Sequence, residues 1–426
     1  MIDMDIAGII CLIIFVGTLL VILLGRLDET AVALFSLGLC ALVLYTFNNI
    51  AFTAMLGSIY WDTVLFIAAM MIIISVLGSS GMFQYMALVL ARWTRGEPRR
   101  LFMVLMGFVF VVSLVLQPLP TILIIGAFTA EVCNSLGIDF RPYLLSEAVV
   151  ANSASIPSPI GSIPNMIVVS LTEMNIGLMF VTLFPLSLLL LGVTIWYFLR
   201  YYRQVFAQLP GAAASHLFDI EPRLMIRSRL DFFVSAIALA VLITGLVLVP
   251  TESVTVALVV AGGLLVISFQ RAKVLLNQLS WNTVFFIVGL FGIVAALQVT
   301  GVSTDLVAAM TAVVGNNVFI AILVMIWLPG FVMSAFDTIP IAAFLAPMSV
   351  EFASLNRIVP ISMVAGLNFS VYVIPFGDAP NMYLRDLAEK NRGPISWMDF
   401  TKAVTPLGLV HLAISTAYLF AVAALV

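Results

Sequence analysis

Two short segments of this 426-residue chain combine helix-breaking residues with polar side chains that could bind an ion. The first segment, SPIGSIPNM, spans residues 158–166, and the second, IPFGDAPNM, spans residues 374–382. Each places prolines and a glycine inside a long apolar run, where those residues weaken or break a helix. Unpaired backbone groups are costly in hydrocarbon, so a broken helix survives there only if it is buried in protein or lines a polar cavity. The two segments are therefore predicted to face a polar cavity.

The two segments would differ in their chemistry. In the first, Gly161 allows close approach to the backbone, Ser162 suits the N-cap of a new half-helix, and Pro164 suits its first turn. The N–H groups and the positive dipole end of such a half-helix form a weak anion site, to which the amide of Asn165 adds a donor and an acceptor. In the second, Asp378 replaces Ser162, and its carboxylate either caps its own helix or holds a cation.

The chain contains an internal repeat. WDTVLFI at 61–67 recurs as WNTVFFI at 281–287, and LQPLPTIL at 116–123 falls on FDTIPIAA at 336–343, both at an offset of 220 residues. At an offset of 216 the matches are Asn152 with Asn368, Gly161 with Gly377, Pro164 with Pro380, and Asn165 with Asn381. Two halves are predicted, at 1–200 and 231–426, joined by a cytoplasmic linker over 201–230.

The elements that must position these residues are membrane spans. Hydrophobic residues make up 63% of the chain and charged residues 9%, with a mean hydropathy of +1.20, which indicates a polytopic membrane protein. A helix must cross about 30 Å of hydrocarbon. Ten apolar runs are long enough: 7–25, 30–48, 63–80, 142–170, 175–199, 232–249, 252–269, 283–300, 360–384 and 403–425. Those at 142–170 and 360–384 contain the breaks.

Two further apolar runs, 101–130 and 317–349, carry prolines near their midpoints and are predicted as re-entrant helical hairpins. Gln117, Pro120 and Thr121 occupy the first turn, and Asp337 and Thr338 occupy the second. A carboxylate inside the membrane is costly, so we expect Asp337 to have a function in binding or transport. The alternative for Asp337 is a polar turn with a structural hydrogen bond.

The basic residues support this threading. With both hairpins re-entrant, all of the 18 Lys and Arg residues except Arg357 fall on one side, which is then cytoplasmic, with both termini outside the cell membrane. The two broken spans then run in opposite directions, so the repeats are inverted. Inverted repeats with discontinuous helices are typical of secondary transporters.

Other features point away from different classes. Cys11, Cys40 and Cys133 are scattered without disulfide or metal spacing and are read as packing residues. A net charge of −3 gives no indication of nucleic-acid binding, and without a GxxxxGK motif nothing suggests ATP-driven transport. His411 is read as a core histidine, and Glu147 as either a water-exposed span end or a site. A channel and an intramembrane aspartyl protease remain as alternatives.

The hairpin turns followed by P-x-G-x-x-P-N phrases resemble the ion transporter superfamily, which includes arsenite efflux permeases, the melanosomal P protein, NhaD-type antiporters and divalent anion symporters. The turns read QP and DT instead of the family's Ser-Asn-Thr or Asn-rich sequences, so the chain is similar to a divergent member. The resemblance implies an all-α elevator-type transporter whose inverted repeats each have five spans, a hairpin and a broken helix, and which forms a homodimer. The candidate site residues are Gln117, Pro120, Thr121, Asn152, Gly161, Ser162, Asn165, Asp337, Thr338, Asn368, Gly377, Asp378 and Asn381.

The expected function is secondary active transport of a small anion or oxyanion coupled to protons or sodium. Sodium/proton exchange is the alternative, and Asp337 and Asp378 are the candidate sodium ligands. No organic cofactor, enzymatic activity or nucleic-acid partner is expected. The partners are the lipid bilayer, the transported ion and a second copy of the chain.

Overall fold

The computed structural model describes residues 5–24, 26–207, 229–249, 252–268, 270–277, 279–334, 336–374 and 379–425. All regular elements in these ranges are helical. The first half contains α1 (Ile6–Leu24), α2 (Glu29–Asn48), α3 (Phe52–Gly57), α4 (Trp61–Ser79), α5 (Met82–Trp93), α6 (Pro98–Ser113), α7 (Pro118–Thr121), the π-helix π1 (Ile122–Gly126), α8 (Ala127–Leu136), α9 (Arg141–Ser155), α10 (Ile163–Thr172), α11 (Ile176–Tyr201) and α12 (Arg203–Phe206).

The second half is likewise built of long and short helices with a π-helix. It contains α13 (Arg229–Leu248), α14 (Ser253–Ile267), α15 (Ala272–Asn277), α16 (Trp281–Val299), α17 (Val302–Val314), α18 (Val318–Trp327), the π-helix π2 (Leu328–Val332), α19 (Thr338–Ala353), α20 (Ile358–Val373), α21 (Ala379–Lys390) and α22 (Trp397–Leu425).

Polar residues at helix ends define several of these boundaries. Asp28 accepts a hydrogen bond from the backbone N–H of Ala31 at 2.8 Å and so caps α2, and Asn175 caps α11 through the N–H of Leu178 at 2.8 Å. Each bond satisfies one of the N–H groups that the first turn of a helix leaves without a partner. The short polar stretches between apolar runs are therefore sufficient to start new helices.

Six helical stretches in the described part of the chain are long and apolar enough to cross a membrane on their own. They are Glu29–Asn48, Trp61–Ser79, Pro118–Leu136, Ile176–Tyr201, Trp281–Val299 and Trp397–Leu425. Shorter apolar stretches of 10–17 residues lie in other helices, including α10, α19 and α20. The chain is thus a multi-pass helical protein. Because Pro118–Leu136 is long enough to cross by itself, the charge distribution is what favours a hairpin there.

The helices of the two halves pack crosswise. α2 packs against α16 and α4 against α14, so each pair joins one helix from each half. α10, the short helix after the first break, packs against α19, and α21 packs against α7 and π1. α9 and α20, the helices that precede the two breaks, also touch. A single large hydrophobic core therefore includes residues of both halves.

Local hydrogen bonds recur in the two halves at the sequence offsets. The indole N–H groups of Trp61 and Trp281 donate to backbone oxygens at 3.0 Å in both copies. The acceptors are Leu56 and Leu276, again 220 residues apart. Gly81 and Gly301, also separated by 220 residues, both have a positive φ, 81° and 76°, immediately before a helix.

Candidate functional site

A cavity of about 470 Å³ lies where the turns before α7 and α19 meet residues of α9, α10 and α20. This volume is within the range of sites for small molecules. Its lining is partly apolar, with Met71, Ile74, Leu123 and Phe286 among the side chains. The polar residues that line it are Glu29, Ser75, Gln117, Asn152, Ser162, Ser280, Thr283, Asp337, Thr338 and Asn368.

The two turns present different groups to this cavity. Asp337 precedes α19, and its Oδ1 accepts a hydrogen bond from the N–H of Ile339 at 2.8 Å. Gln117 occupies the matching place before α7 but makes no such cap, and its Nε2 is buried without a hydrogen-bond partner among the described residues. An unpaired buried donor is costly and needs an explanation. Gln117 itself lines the cavity, so this unpaired donor belongs to a residue of the cavity wall.

The first break also leaves polar groups at the cavity. Ser162 is at the N-cap position of α10, with extended backbone, but its side chain makes no capping bond to the helix. Pro164 lies within the first turn of α10, where its missing N–H is no loss, and it also lines the cavity. The hydroxyl of Ser162 and the first N–H of α10, at Ile163, are therefore placed beside the cavity at a helix N-terminus.

Behind the cavity, a buried amide network joins the two broken helices. Asn368 donates through Nδ2 to Oδ1 of Asn165 at 2.7 Å and accepts through Oδ1 from the hydroxyl of Ser155 at 3.0 Å. Asn165 donates to the backbone oxygens of Ser155 and Ser158 at 2.9 and 3.0 Å, so it ties α10 to the end of α9. These bonds hold α10 in a fixed position relative to α9 and α20.

The second half repeats part of this pattern. Asn152 donates to the backbone oxygen four residues earlier at 2.9 Å, and Asn368 makes the same bond at 2.8 Å. Asn381 donates to the oxygen of Val371 at 2.6 Å, ten residues earlier, as Asn165 does with Ser155. The matched asparagines thus bridge their helix breaks in the same way.

The structure brings together seven of the predicted site residues: Gln117, Pro120, Asn152, Ser162, Asp337, Thr338 and Asn368 line the cavity. Four others lie outside its lining. Thr121, Asn165 and Asn381 are buried behind it. Gly161 packs against hairpin backbone, since a Cβ there would lie 2.7 Å from the carbonyl oxygen of Ser113. Gly377 and Asp378 lie outside the described residues.

Sequence reasoning missed Glu29, which lines the cavity from the start of α2. A charged residue at the first turn of a span is typical of a membrane boundary and carries no signal of a site. Together with Asp337 it gives the cavity two acidic side chains. None of the described lining residues is Lys, Arg or His. Any anion bound here would therefore need a cation or hydrogen-bond donors to balance its charge.

The sequence model of a protein family described as CitMHS, citrate transporter, matches residues 19–366. The chain belongs to this citrate transporter family. It is similar to an uncharacterized transporter of Mycobacterium tuberculosis, with 26% identity over 423 residues that cover 97% of this chain and 98% of the relative. Both the family and this relative are described as transporters, not enzymes. This confirms the prediction that the chain is a membrane transport protein and not an enzyme.

Two solved structures share the fold of this citrate transporter family member. The YdaH transporter of Alcanivorax borkumensis aligns with a TM-score of 0.62 and 15% identity, over 97% of both chains. MtrF of Neisseria gonorrhoeae, described among antimetabolite efflux pumps, aligns with a TM-score of 0.58 and 11% identity, over 98% of this chain and 95% of its own. At these identities the likeness concerns the fold alone. The family match confirms the part of the predicted resemblance that makes the chain a member of a transporter family.

Proposed function

We propose that this protein is a secondary active transporter that moves a small organic anion of the citrate class, coupled to protons or sodium. The observation that carries the proposal is the cavity at the meeting point of both hairpin turns and both broken helices. It is large enough for a small carboxylate, and its polar groups come from both halves of the chain. The family to which the chain belongs supplies citrate as the first substrate to test.

Hydrogen-bond donors around the cavity support an anionic substrate. The hydroxyl of Ser162 and the N-terminus of α10 can each donate to a carboxylate. Donors at a helix N-terminus favour negative charge even where no basic side chain is present. This arrangement accounts for anion binding by a cavity whose described lining is without cationic residues.

The acidic residues support coupling to a cation. Asp337 and Glu29 would repel a bare anion, so a proton or sodium ion beside Asp337 would offset part of the substrate's charge. Sodium/proton exchange is the second candidate function, because the same two carboxylates would serve it without an anion. The two functions differ in whether ion movement requires an organic anion.

The mechanism we infer is an elevator-type alternating-access cycle of two inverted repeats in a homodimer. Crosswise packing of the halves and their recurring hydrogen bonds support two structurally related repeats. The basic loops would be cytoplasmic and both termini outside the cell membrane, in accordance with the distribution of Lys and Arg. Each charge moved through 100 mV supplies about 2.3 kcal/mol, which is adequate to drive accumulation.

The experiment is uptake of radiolabelled citrate by proteoliposomes, with a pH gradient, a sodium gradient or neither. We expect accumulation above equilibrium with one of the two gradients, and none in protein-free vesicles. A trapped pH dye in the same vesicles measures proton movement. Sodium-driven proton flux without citrate, combined with absent citrate uptake, would support the exchanger instead. Equilibration without any accumulation would contradict secondary active transport.

A further inference from the structure

A buried acidic residue outside the cavity has no role in the function proposed above. Glu147 lies in the middle of α9 and is 1% exposed. The hydroxyl of Thr129, on α8, donates to its Oε1 at 2.6 Å, whereas Oε2 has no hydrogen-bond partner among the described residues. The sequence left Glu147 open as either a water-exposed span end or a site. The structure buries it under the segment from α7 to α8, which we call the α7–α8 limb.

The surroundings of Glu147 contain no compensating charge. Along its own helix, Arg141 pairs with Asp139, and Tyr143 donates to the backbone of Pro98. On the helices that pack against α9, Tyr372 bonds to His411 on α22 and Arg385 stacks on Trp397. Cys133 on α8 is fully buried. The other charged residues on these helices are exposed, among them Glu131 on α8 and Lys390 on α21.

The internal repeat shows that this position does not need a polar side chain. At the offset of 216 that aligns the broken helices, Glu147 matches Met363 on α20, which is fully buried. The same place in a closely similar helix is therefore filled by an apolar residue in the other half. An ionisable group inside a membrane segment is costly. Because a methionine fits at the matching position, we expect Glu147 to have a function.

The limb that covers Glu147 also forms one wall of the cavity. Pro118, Leu123 and Ile124 of this limb line the cavity, and Thr129 lies six residues beyond Leu123, or about 9 Å along a helix. Between them, π1 ends at Gly126, where a Cβ would lie 3.3 Å from Oε2 of Glu147. Single π-helical turns often mark functional sites in helices. A displacement of this limb would change the cavity wall and uncover the carboxyl group together.

We propose that Glu147 carries the proton that the transport cycle couples to movement of the anion. Oε1 accepts the Thr129 hydrogen bond, so Oε2 holds the proton while the limb is closed. When the limb separates from α9, the O–H bond breaks, the proton passes to water and the carboxylate remains. Rebinding from water on the opposite side completes the cycle. This inference rests on the proposed function and chooses the proton over sodium as the coupling ion.

The first test compares Glu147→Met and Glu147→Gln with Glu131→Gln, a matched change at an exposed glutamate of the same limb. Labelled citrate is the probe in proteoliposomes. Citrate counterflow at equal pH needs no net proton movement, and we expect both Glu147 variants to retain it within about twofold. A gradient of one pH unit supports about tenfold accumulation per coupled proton in wild type and Glu131→Gln. Both Glu147 variants should only equilibrate.

Two outcomes would overturn the proposal. Accumulation by Glu147→Gln at the wild-type level would show that the proton binds elsewhere. Loss of counterflow as well as accumulation in both folded variants would assign Glu147 to movement of the carrier rather than to proton coupling.

A second measurement does not depend on the substrate. The infrared difference spectrum of wild type minus Glu147→Gln at neutral pH should contain the C=O band of a protonated carboxylic acid, and the Glu131→Gln difference should lack it. Absence of the band overturns the proton assignment whatever the citrate assays show. Failure of wild type to transport citrate, with the band present, counts against the proposed substrate alone.

Discussion

At the scale of single residues, Asp337 serves the fold and the cavity at once. Its Oδ1 caps α19 through the N–H of Ile339, and the residue lines the cavity. An asparagine keeps the side-chain oxygen that caps a helix and removes the charge, whereas an alanine removes both. The two substitutions therefore separate the structural role of the side chain from any role of its charge in transport.

We expect Asp337→Asn to abolish gradient-driven accumulation of citrate while leaving thermal stability unchanged. Asp337→Ala should lose accumulation and also about 0.5–2 kcal/mol of stability, because the cap is lost. Proteoliposome uptake and thermal unfolding in detergent measure the two effects. Normal accumulation by Asp337→Asn would mean that this carboxylate only caps the helix.

Gly161 gives a prediction about packing. A Cβ there would lie 2.7 Å from a backbone oxygen of Ser113 and 2.8 Å from the Cβ of Ser155, neither of which can move as a flexible side chain would. Gly161→Ala should therefore destabilise the protein by about 1–3 kcal/mol, as overpacking does. Gly107→Ala, inside α6 with open space around it, is the control and should be neutral or stabilising by roughly 1 kcal/mol. Equal melting temperatures for the two variants would contradict this reading of Gly161.

The site could be predicted from sequence where a residue also breaks a helix. Gln117 and Ser162 stand next to a proline and a glycine, and Asp337 lies three residues before a proline; the structure places all three at the cavity. Glu29 has the ordinary appearance of a span boundary. For Glu147 the sequence left a water-exposed span end and a site open, since its burial depends on the position of α7 to α8, which no local pattern encodes.

At the scale of helices, the bond between Asn165 and Asn368 is the direct link between the two breaks. Each asparagine also bonds to its own half, so the pair fixes α10 and α20 relative to one another. Removing one partner leaves several buried groups without hydrogen bonds, and each costs about 1–3 kcal/mol. The stability of the break region should therefore depend steeply on this pair.

We expect Asn165→Ala to lower the free energy of unfolding by several kcal/mol, because two backbone oxygens and the Asn368 amide lose their partner. Asn134→Ala is the control, since Asn134 bonds to Asn391 in an exposed pair. Chemical or thermal unfolding of both variants in the same detergent provides the comparison. A similar small loss in both would show that the amide network adds little to the fold.

Helix ends were predictable where the chemistry of the chain changes abruptly. The broken span placed at 142–170 corresponds to α9 and α10, Arg141–Ser155 and Ile163–Thr172. In the other half, α21 extends to Lys390, beyond the predicted limit at 384, because Arg385 and Asp386 end the apolar run without ending the helix. The two π-helices could not be predicted, since a π turn arises from packing rather than from a residue preference.

At the scale of the whole molecule, the turns at Gln117 and Asp337 line the same cavity, although they come from different halves. Alternating access requires that one turn be shielded while the other is exposed to its own side of the membrane. Leu119 and Ile339 lie at the two turns and line the cavity. Labelling at these positions can therefore report on both sides of the cycle.

Single cysteines at Leu119 and Ile339 should show reciprocal labelling by membrane-impermeant maleimide from the two faces of oriented vesicles. Citrate and the coupling ion should shift the two rates in opposite directions. The native Cys11, Cys40 and Cys133 are fully buried, so wild type is a suitable background and should label little. Rapid labelling of both positions in one conformation would indicate a continuous pore, and thus a channel.

Crosswise packing also affects how the protein is made. α10 packs on α19, and α21 packs on α7 and π1, so the short helix after each break rests on a hairpin from the other half. Synthesis of the second half, about 200 residues, takes roughly 10–40 s at ribosomal rates of about 5–20 residues per second. During that time the first half is in the membrane with the polar groups of its break uncovered. A nascent chain in this state would be a natural client for membrane chaperones, and a ribosome stalled near residue 230 would leave a half-protein destined for proteolysis.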